Sequence, residues 1–457
     1  MRRLLMVALA TVLLATLPSV AARAAVPELQ TVEVSFRGAD GLPMHGSVLS
    51  PATRGAPRPG LVLVGGSSPG TPRTKLMNEA VAFAKQGMSV LIYDKRAYSM
   101  AELDYGRLAD DALGAVGALR AQPGVDKTKV GLWGFSEGGW VAPLAASRSA
   151  DVSFLILVGA NAISPLRQQT WAVAAGLRKA GVAGSIVDRA EPSLYRLLAD
   201  AGQFPEPYHD ASAVLAKVRQ PILAIWGDHD LLTPPQENPP LLVRALGHDH
   251  YTLRFFPGDH AVHDSPDGGV TRLPTLTPGY ADAIGAWVTR VTRGELPSGE
   301  NATPAPRQAN LSVAVPPMAW WESATVQLAA LALLMVAFAA YPLWALARRL
   351  RGRRVSGGRP ARLLSAAGLV VTLGTLAYLM YLTLTGAKLA HPGPVLAGRP
   401  LVWLGLQVLA VAAVVSAALA VPAWRRASGS ERVRLSLLLT GGTLLVPWAL
   451  YWGLLLP

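Results

Sequence analysis

The chain has 457 residues, is 51% hydrophobic and contains no cysteine. It is too long and too apolar for one soluble domain, and disulfides, thiolate nucleophiles and cysteine-ligated metals are excluded. A net charge of +13 would suit a nucleic-acid binder if it were spread evenly, but residues 25–315 balance 26 Lys+Arg against 27 Asp+Glu, whereas residues 316–457 hold 13 basic and 2 acidic residues. The excess lies beside apolar segments, where it sets membrane topology, so no nucleic-acid partner is expected.

The N-terminus reads as a targeting segment. Arg2-Arg3 precedes an apolar run, Leu4 to Leu17, that is 14 residues long and short for a span. Ala22-Arg23-Ala24 is a small-x-small cleavage site, so residues 1–24 are expected to be a signal peptide. The alternative is an uncleaved anchor, and either would carry the adjoining domain across the membrane.

Residues 25–297 alternate strand and helix patterns. Leu29–Pro51 alternates apolar and polar residues around Asp40-Gly41, an entry hairpin. Leu61–Val64 is a buried strand that ends in Gly65-Gly66-Ser67-Ser68-Pro69-Gly70, a loop at the strand end where α/β sheets place ligands. A helical stretch around Asn78–Gln86 leads to a strand at Val90–Tyr93 that runs into Asp94-Lys95-Arg96, and Asp110–Arg120 has helical spacing.

Val130–Phe135 then passes through Gly134-Phe135-Ser136-Glu137-Gly138 into an apolar helix, which gives strand, sharp turn, helix. A serine at the tip of such a turn has its hydroxyl pushed out of the sheet, with the helix N-terminus aimed at the same spot. The pentapeptide alone is weak, since a glycine-rich turn gives the same letters. After a strand at Phe154–Val158, residues 161–216 turn mostly helical and proline-bearing, an inserted cap. Its Trp171, Tyr195, Phe204 and Tyr208 suit an apolar acyl pocket or ordinary packing. The strand Pro221–Trp226 runs into Gly227-Asp228-His229-Asp230, and Tyr251–Phe256 runs into Gly258-Asp259-His260-Ala261-Val262-His263. A serine, an acid and a histidine thus follow successive strands in hydrolase-triad order. The rhythm predicts a mostly parallel sheet with helices on both faces.

After a linker, 298–322, four apolar stretches fill residues 323–457: Ala324–Ala345, Leu363–Gly386, Leu401–Val421 and Leu435–Leu456. Each is long enough to cross a bilayer as a helix. The first loop holds Arg348, Arg349, Arg351, Arg353, Arg354, Arg359 and Arg362, and the third holds Arg425, Arg426, Arg432 and Arg434 against Glu431. The second has only Lys388, His391 and Arg399. The positive-inside rule makes the first and third loops cytoplasmic and places residues 25–322 outside. No Asp or Glu falls within the four stretches, so an anchor in contact with membrane lipid is expected rather than a transport path. A lipid-substrate platform or partner-binding bundle is the alternative.

From Val32 to Val288 the sequence resembles the α/β-hydrolase superfamily, and more narrowly its serine aminopeptidase and prolyl-oligopeptidase-like branch. The resemblance rests on Gly65-Gly66-Ser67, Tyr93-Asp94-Lys95-Arg96, the Ser136 turn, Gly227-Asp228-His229-Asp230 and Gly258-Asp259-His260. It departs where Ala97 replaces a frequent glycine, and no family pattern is recognised for the four spans. It implies an α/β-hydrolase fold with a small helical cap, joined here to an all-α transmembrane region. Many members act as carboxylic ester hydrolases, which implies a serine esterase; the signal segment and the charge pattern of the spans place it in the membrane of a bacterial cell with its catalytic domain expected on the extracytoplasmic side. A peptide substrate is the alternative, and so is a non-catalytic partner-binding protein.

In that reading Ser136 attacks an acyl carbonyl, His260 shuttles the proton and Asp230 orients the imidazole. The N–H of Glu137 and that of Ser67 or Gly66 form the oxyanion hole. Asp228 competes with Asp230, and His263 with His260. His45, His209, His229, His248 and His250 read as surface or structural residues. No cofactor or metal is expected, and protein partners are unspecified.

Overall fold

The computed structural model describes residues 28–457 apart from 54, 100–101, 205, 353–357 and 386–390. The expected signal segment, Arg353, Arg354, Pro205 and Lys388 therefore lie outside the described residues.

In chain order come β1 (Leu29–Arg37), β2 (Pro43–Pro51), β3 (Arg58–Val64), α1 (Met77–Lys85), β4 (Ser89–Tyr93), α2 (Tyr105–Arg120), β5 (Val125–Phe135), α3 (Gly138–Arg148) and β6 (Leu155–Val158). The expected cap contains α4 (Pro165–Lys179), a π-helical turn at Ile186–Ala190, α5 (Glu191–Asp200) and α6 (Ala211–Leu215). Beyond it lie β7 (Ile222–Gly227), α7 (Asn238–Ala245), β8 (Tyr251–Phe256), α8 (Tyr280–Thr292) and β9 (Glu300–Asn301).

The described strands of this region form one nine-stranded sheet in the order β1-β2-β4-β3-β5-β6-β7-β8-β9. β1, β2 and β4 pair antiparallel as neighbours, and every pairing from β4 to β9 is parallel. The β1–β2 hairpin turns where Asp40 and Gly41 take φ of +56° and +70°.

Strand alternation sorts the side chains into two cores. Val62, Val64, Leu132, Leu155, Leu157, Ala224 and Trp226 face α2, α3, α6 and α7. Leu61, Leu63, Trp133, Ile156, Val158, Leu223 and Ile225 face α1 and α8. Both faces are covered, so the central strands read as continuous apolar runs. Parallel pairing also puts the C-terminal ends of β3, β4, β5, β7 and β8 along one edge, where the site is built.

Four long apolar helices complete the described chain: α9 (Ala324–Leu350), α10 (Arg359–Leu384), α11 (Leu401–Arg426) and α12 (Gly429–Tyr451). They are long and apolar enough to cross a membrane, with mean hydropathies from 1.5 to 2.3. The last differs from the expected Leu435–Leu456. It starts at Gly429, and the charges this brings into its first turns, Glu431 and Arg434, pair at 3.1 Å. It stops at Tyr451 because Gly453 takes φ +76°, which ends helical geometry.

A third core joins these helices to the cap. Leu166, Val173, Leu177, Ile186 and Tyr195 are buried in one cluster with Leu334, Phe338, Trp403, Leu445 and Trp452. Polar contacts tie the same junction: Ser185 N–H donates to Pro457 O at 3.1 Å, and Arg196 holds both carboxylate oxygens of Glu322 at 2.9 and 2.7 Å.

Candidate active site

Ser136 sits between β5 and α3 with φ +54°, a left-handed conformation that costs a non-glycine residue energy and persists only when the surroundings impose it. The surroundings are crowded. A Cβ on Gly134 would lie 2.2 Å from Gly138 O, and one on Gly138 would lie 2.3 Å from Val64 O. Only glycine lets strand and helix close so tightly. The Ser136 N–H donates to Val158 O at 2.9 Å, which pins the turn to the next strand.

Asp230 lies just past the end of β7 and is buried. Its carboxylate accepts the N–H groups of Leu232 (2.7 Å) and Thr233 (2.8 Å) and the Thr233 hydroxyl, and its Oδ2 lies 2.8 Å from His260 Nδ1. Burial alone would raise this carboxyl. The His260 charge, the His260 hydrogen bond and the Thr233 donors outweigh burial and hold it below its ordinary value.

His260 lies in the loop after β8. Asp259 holds that loop by accepting the N–H groups of Ala261 (2.9 Å) and His263 (3.0 Å), and Arg272 Nε binds its other oxygen at 2.5 Å. Val262, buried and β-branched, takes φ +61° there, a second strained residue beside the site. The His260 ring packs on Phe135, the residue before Ser136, with ring centres 4.9 Å apart. A Cβ on Gly159 would lie 2.6 Å from its Cε1, so glycine makes room for the imidazole. Its Nε2 is buried and, among the described residues, makes no hydrogen bond, to Ser136 included.

The rivals fare differently. Asp228 is exposed. His263 is buried, but its Nε2 meets Glu79 at 3.0 Å and its Nδ1 meets Leu273 O at 2.8 Å. Burial opposes its charge, yet the Glu79 carboxylate and the Leu273 carbonyl raise its pKa overall. It stitches the loop to α1 rather than to Asp230.

On the proposed oxyanion side, a Cβ on Gly66 would lie 3.3 Å from Ser136 Cβ, which puts the β3–α1 loop against the serine. Among the described residues, neither the N–H of Ser67 nor that of Glu137 donates to another protein group. Lys95 went unrecognised in the sequence as a member of the site. Its Nζ donates to Gly66 O at 2.8 Å and forms an ion pair with the buried carboxylate of Glu137. One side chain thereby ties together the two loops expected to supply the oxyanion donors. Its position just past the end of β4 was the available signal.

Ser136, Ser67 and Glu137 open into a cavity of about 240 Å³. Its apolar wall comes from Tyr98, Leu103, Tyr105 and Trp140, and its roof from Pro165, Gln168, Gln169 and Phe204 of the expected cap. Of the four aromatics singled out in the cap, only Phe204 lines this cavity. Trp171 donates to Asn310 O at 2.9 Å, Tyr195 packs in the third core and Tyr208 is exposed.

No family model matches the chain. Thiohydrolase aneE of Aspergillus aculeatus is 34% identical over 132 residues, which cover 28% of this chain and 40% of that protein. Polyketide transferase claH of Penicillium crustosum is 31% identical over 139 residues, covering 28% of this chain and 43% of that one. The chain thus spans about two fifths of the length of these curated relatives. The solved structure of 2,6-dihydroxy-pseudo-oxynicotine hydrolase is similar with a TM-score of 0.41 and 18% identity, covering 61% of this chain and 72% of that one. The parallel sheet, the strained turn after β5 and the strand-end positions of Asp230 and His260 make this an α/β-hydrolase fold, followed by four long apolar helices.

Proposed function

We propose that the protein is a membrane-anchored serine hydrolase that cleaves carboxylic esters through an acyl-enzyme on Ser136, with its active site on the extracytoplasmic side. The observation that carries this reading is His260. Its Nδ1 is held by buried Asp230, its buried Nε2 has no partner among the described residues, and its ring packs on the residue before a strained serine.

Ser136 Oγ attacks the ester carbonyl while His260 Nε2 takes its proton. The oxyanion forms against the N–H groups of Glu137 and Ser67. The intermediate collapses, the C–O bond to the alcohol breaks, and His260 returns the proton to the leaving oxygen. Water, deprotonated by the same nitrogen, then attacks the acyl carbon; the C–O bond to Ser136 breaks, His260 returns the proton to Ser136 Oγ, and the acid leaves. Asp230 holds the imidazole in the tautomer with Nδ1–H and stabilises the imidazolium.

A specific contact bears on the peptidase alternative. The Glu137 carboxylate is buried against Lys95, so it is not presented to the ammonium group of a peptide N-terminus. This favours esters. One similar protein is called a thiohydrolase, so a thioester belongs in the substrate panel.

Membranes bearing the full chain are treated with a fluorophosphonate probe and assayed on acyl esters of graded length. Wild type is expected to label, and Ser136→Ala to lose both labelling and at least about 1000-fold of the turnover. A folded wild type that never labels would overturn the reading in favour of the non-catalytic one.

A further inference from the structure

At the end of the helical bundle where the arginine-rich loops lie, α9, α10 and α12 enclose a cavity of about 420 Å³. That is within the range of small-ligand sites, about 300–1,000 Å³. Each helix contributes one arginine to its lining: Arg349, Arg362 and Arg434. Among the described residues no Asp or Glu lines it, and the rest of the wall is mostly apolar, including Leu346, Ala366 and Leu369.

Arg434 separates this cluster from arginines that merely mark topology. Arg425 and Arg426 stand at the end of α11 and are not among the residues that line the cavity. Arg434 is only 5% exposed, its guanidinium lies 3.7 Å over the Tyr341 ring, its Nε donates to Tyr341 O at 3.3 Å, and Glu431 pairs with it at 3.1 Å. A cation held inside an apolar bundle is expensive and marks a site by default. Three guanidinium groups from three helices, that of Arg434 already paired with Glu431, line the cavity. Leu346, one of its lining residues, is exposed and gives the cavity an apolar border suited to acyl chains.

We propose that this cavity binds the headgroup of an anionic phospholipid, with the phosphate among Arg349, Arg362 and Arg434 and the acyl chains along the apolar surface beside Leu346. The assignment rests on the reading that the four helices cross a membrane. Basic pockets between spanning helices are suited to such headgroups, and guanidinium groups match phosphate geometry. The apolar rim is what a free phosphate would not use.

The test reconstitutes the full chain in nanodiscs of equimolar phosphatidylglycerol and phosphatidylcholine, extracts it in mild detergent and quantifies the retained lipid by native mass spectrometry. Wild type is expected to retain phosphatidylglycerol over phosphatidylcholine by about tenfold. The double variant Arg349→Gln with Arg362→Gln is expected to bring retention to the bilayer ratio. Arg425→Gln with Arg426→Gln, an equal loss of charge elsewhere, is expected to keep the selectivity. Retention in the bilayer ratio by wild type, or equal loss in both double variants, would overturn the proposal. Displacement of the lipid by millimolar inorganic phosphate would overturn the lipid assignment in favour of a free anion. Release from native membranes by alkaline carbonate would instead refute the spanning reading and this proposal with it.

Discussion

Lys95 ends in a half-buried position between two loops, with its ammonium shared by the Gly66 carbonyl and the Glu137 carboxylate. Removing it leaves a carboxylate buried without its cation and frees the Gly66 loop to drift from the serine. Misplacement by about 1 Å at a reacting centre can cost about 100-fold in rate. Lys95→Met is therefore expected to lower kcat by about that factor with little change in KM, and Lys95→Arg to recover part of it. Steady-state kinetics on a probe ester checks this, and a rise in KM with kcat unchanged would show that Lys95 serves binding rather than the oxyanion. The acid and the histidine were legible as residue types at strand ends, and His260 was preferred to His263 because it directly follows the Gly258-Asp259 turn, but the partner of each ring was not legible. Both follow the same strand in a short loop, and only the partner distinguishes them: Asp230 for one, Glu79 for the other. Sequence spacing carries no information on which carboxylate, some thirty or nearly two hundred positions away, a ring will meet.

Helix α2 shows how packing decides what a glycine is for. Gly114 and Gly117 sit one turn apart on it. A Cβ on Gly114 would lie 2.3 Å from the carbonyl oxygen of Arg37 on β1, whereas one on exposed Gly117 would meet nothing within 4 Å. Gly117→Ala is therefore expected to stabilise the protein by up to about 1 kcal/mol through helix propensity, and Gly114→Ala to destabilise it by pushing α2 off the hairpin. Thermal unfolding of the two variants checks this, and equal shifts in the same direction would sink the argument. At this scale the strands were the most legible elements, because apolar runs bounded by glycine and proline leave few alternatives. The apolar faces of the cap were read less well. An amphipathic helix shows that it must be covered but not by what, and Leu166, Val173 and Ile186 are covered by the helical bundle, away from the serine cavity.

Across the whole molecule that cap is the shared part. One side roofs the cavity over Ser136, and Gln168 from that roof donates to the Leu232 carbonyl in the loop that holds Asp230. The other side is fused to the four apolar helices through the third core. In that junction Glu191 is buried, 2% exposed, with neither carboxylate oxygen hydrogen-bonded among the described residues, and its charge reaches Tyr195 of α5 and Tyr378 of α10. Burial raises its pKa from the usual 4.5 to about 8. By linkage the folded state holds the proton more tightly, so Glu191 has no cost below about pH 4.5, an increasing cost as pH rises toward 8, and a constant cost above it. Glu191→Gln, which keeps the shape and cannot ionise, is expected to match wild type near pH 4.5, to become more stable than it as pH rises, and to exceed it by several kcal/mol above pH 8. Unfolding of the detergent-solubilised full chain across pH 5–9 measures the difference. A gap independent of pH would mean that the Glu191 carboxyl is not the titrating group. A gap that opens with alkalinity and is matched by a loss of wild-type ester turnover over the same range would tie the cap–bundle junction to the geometry of the site beneath the cap.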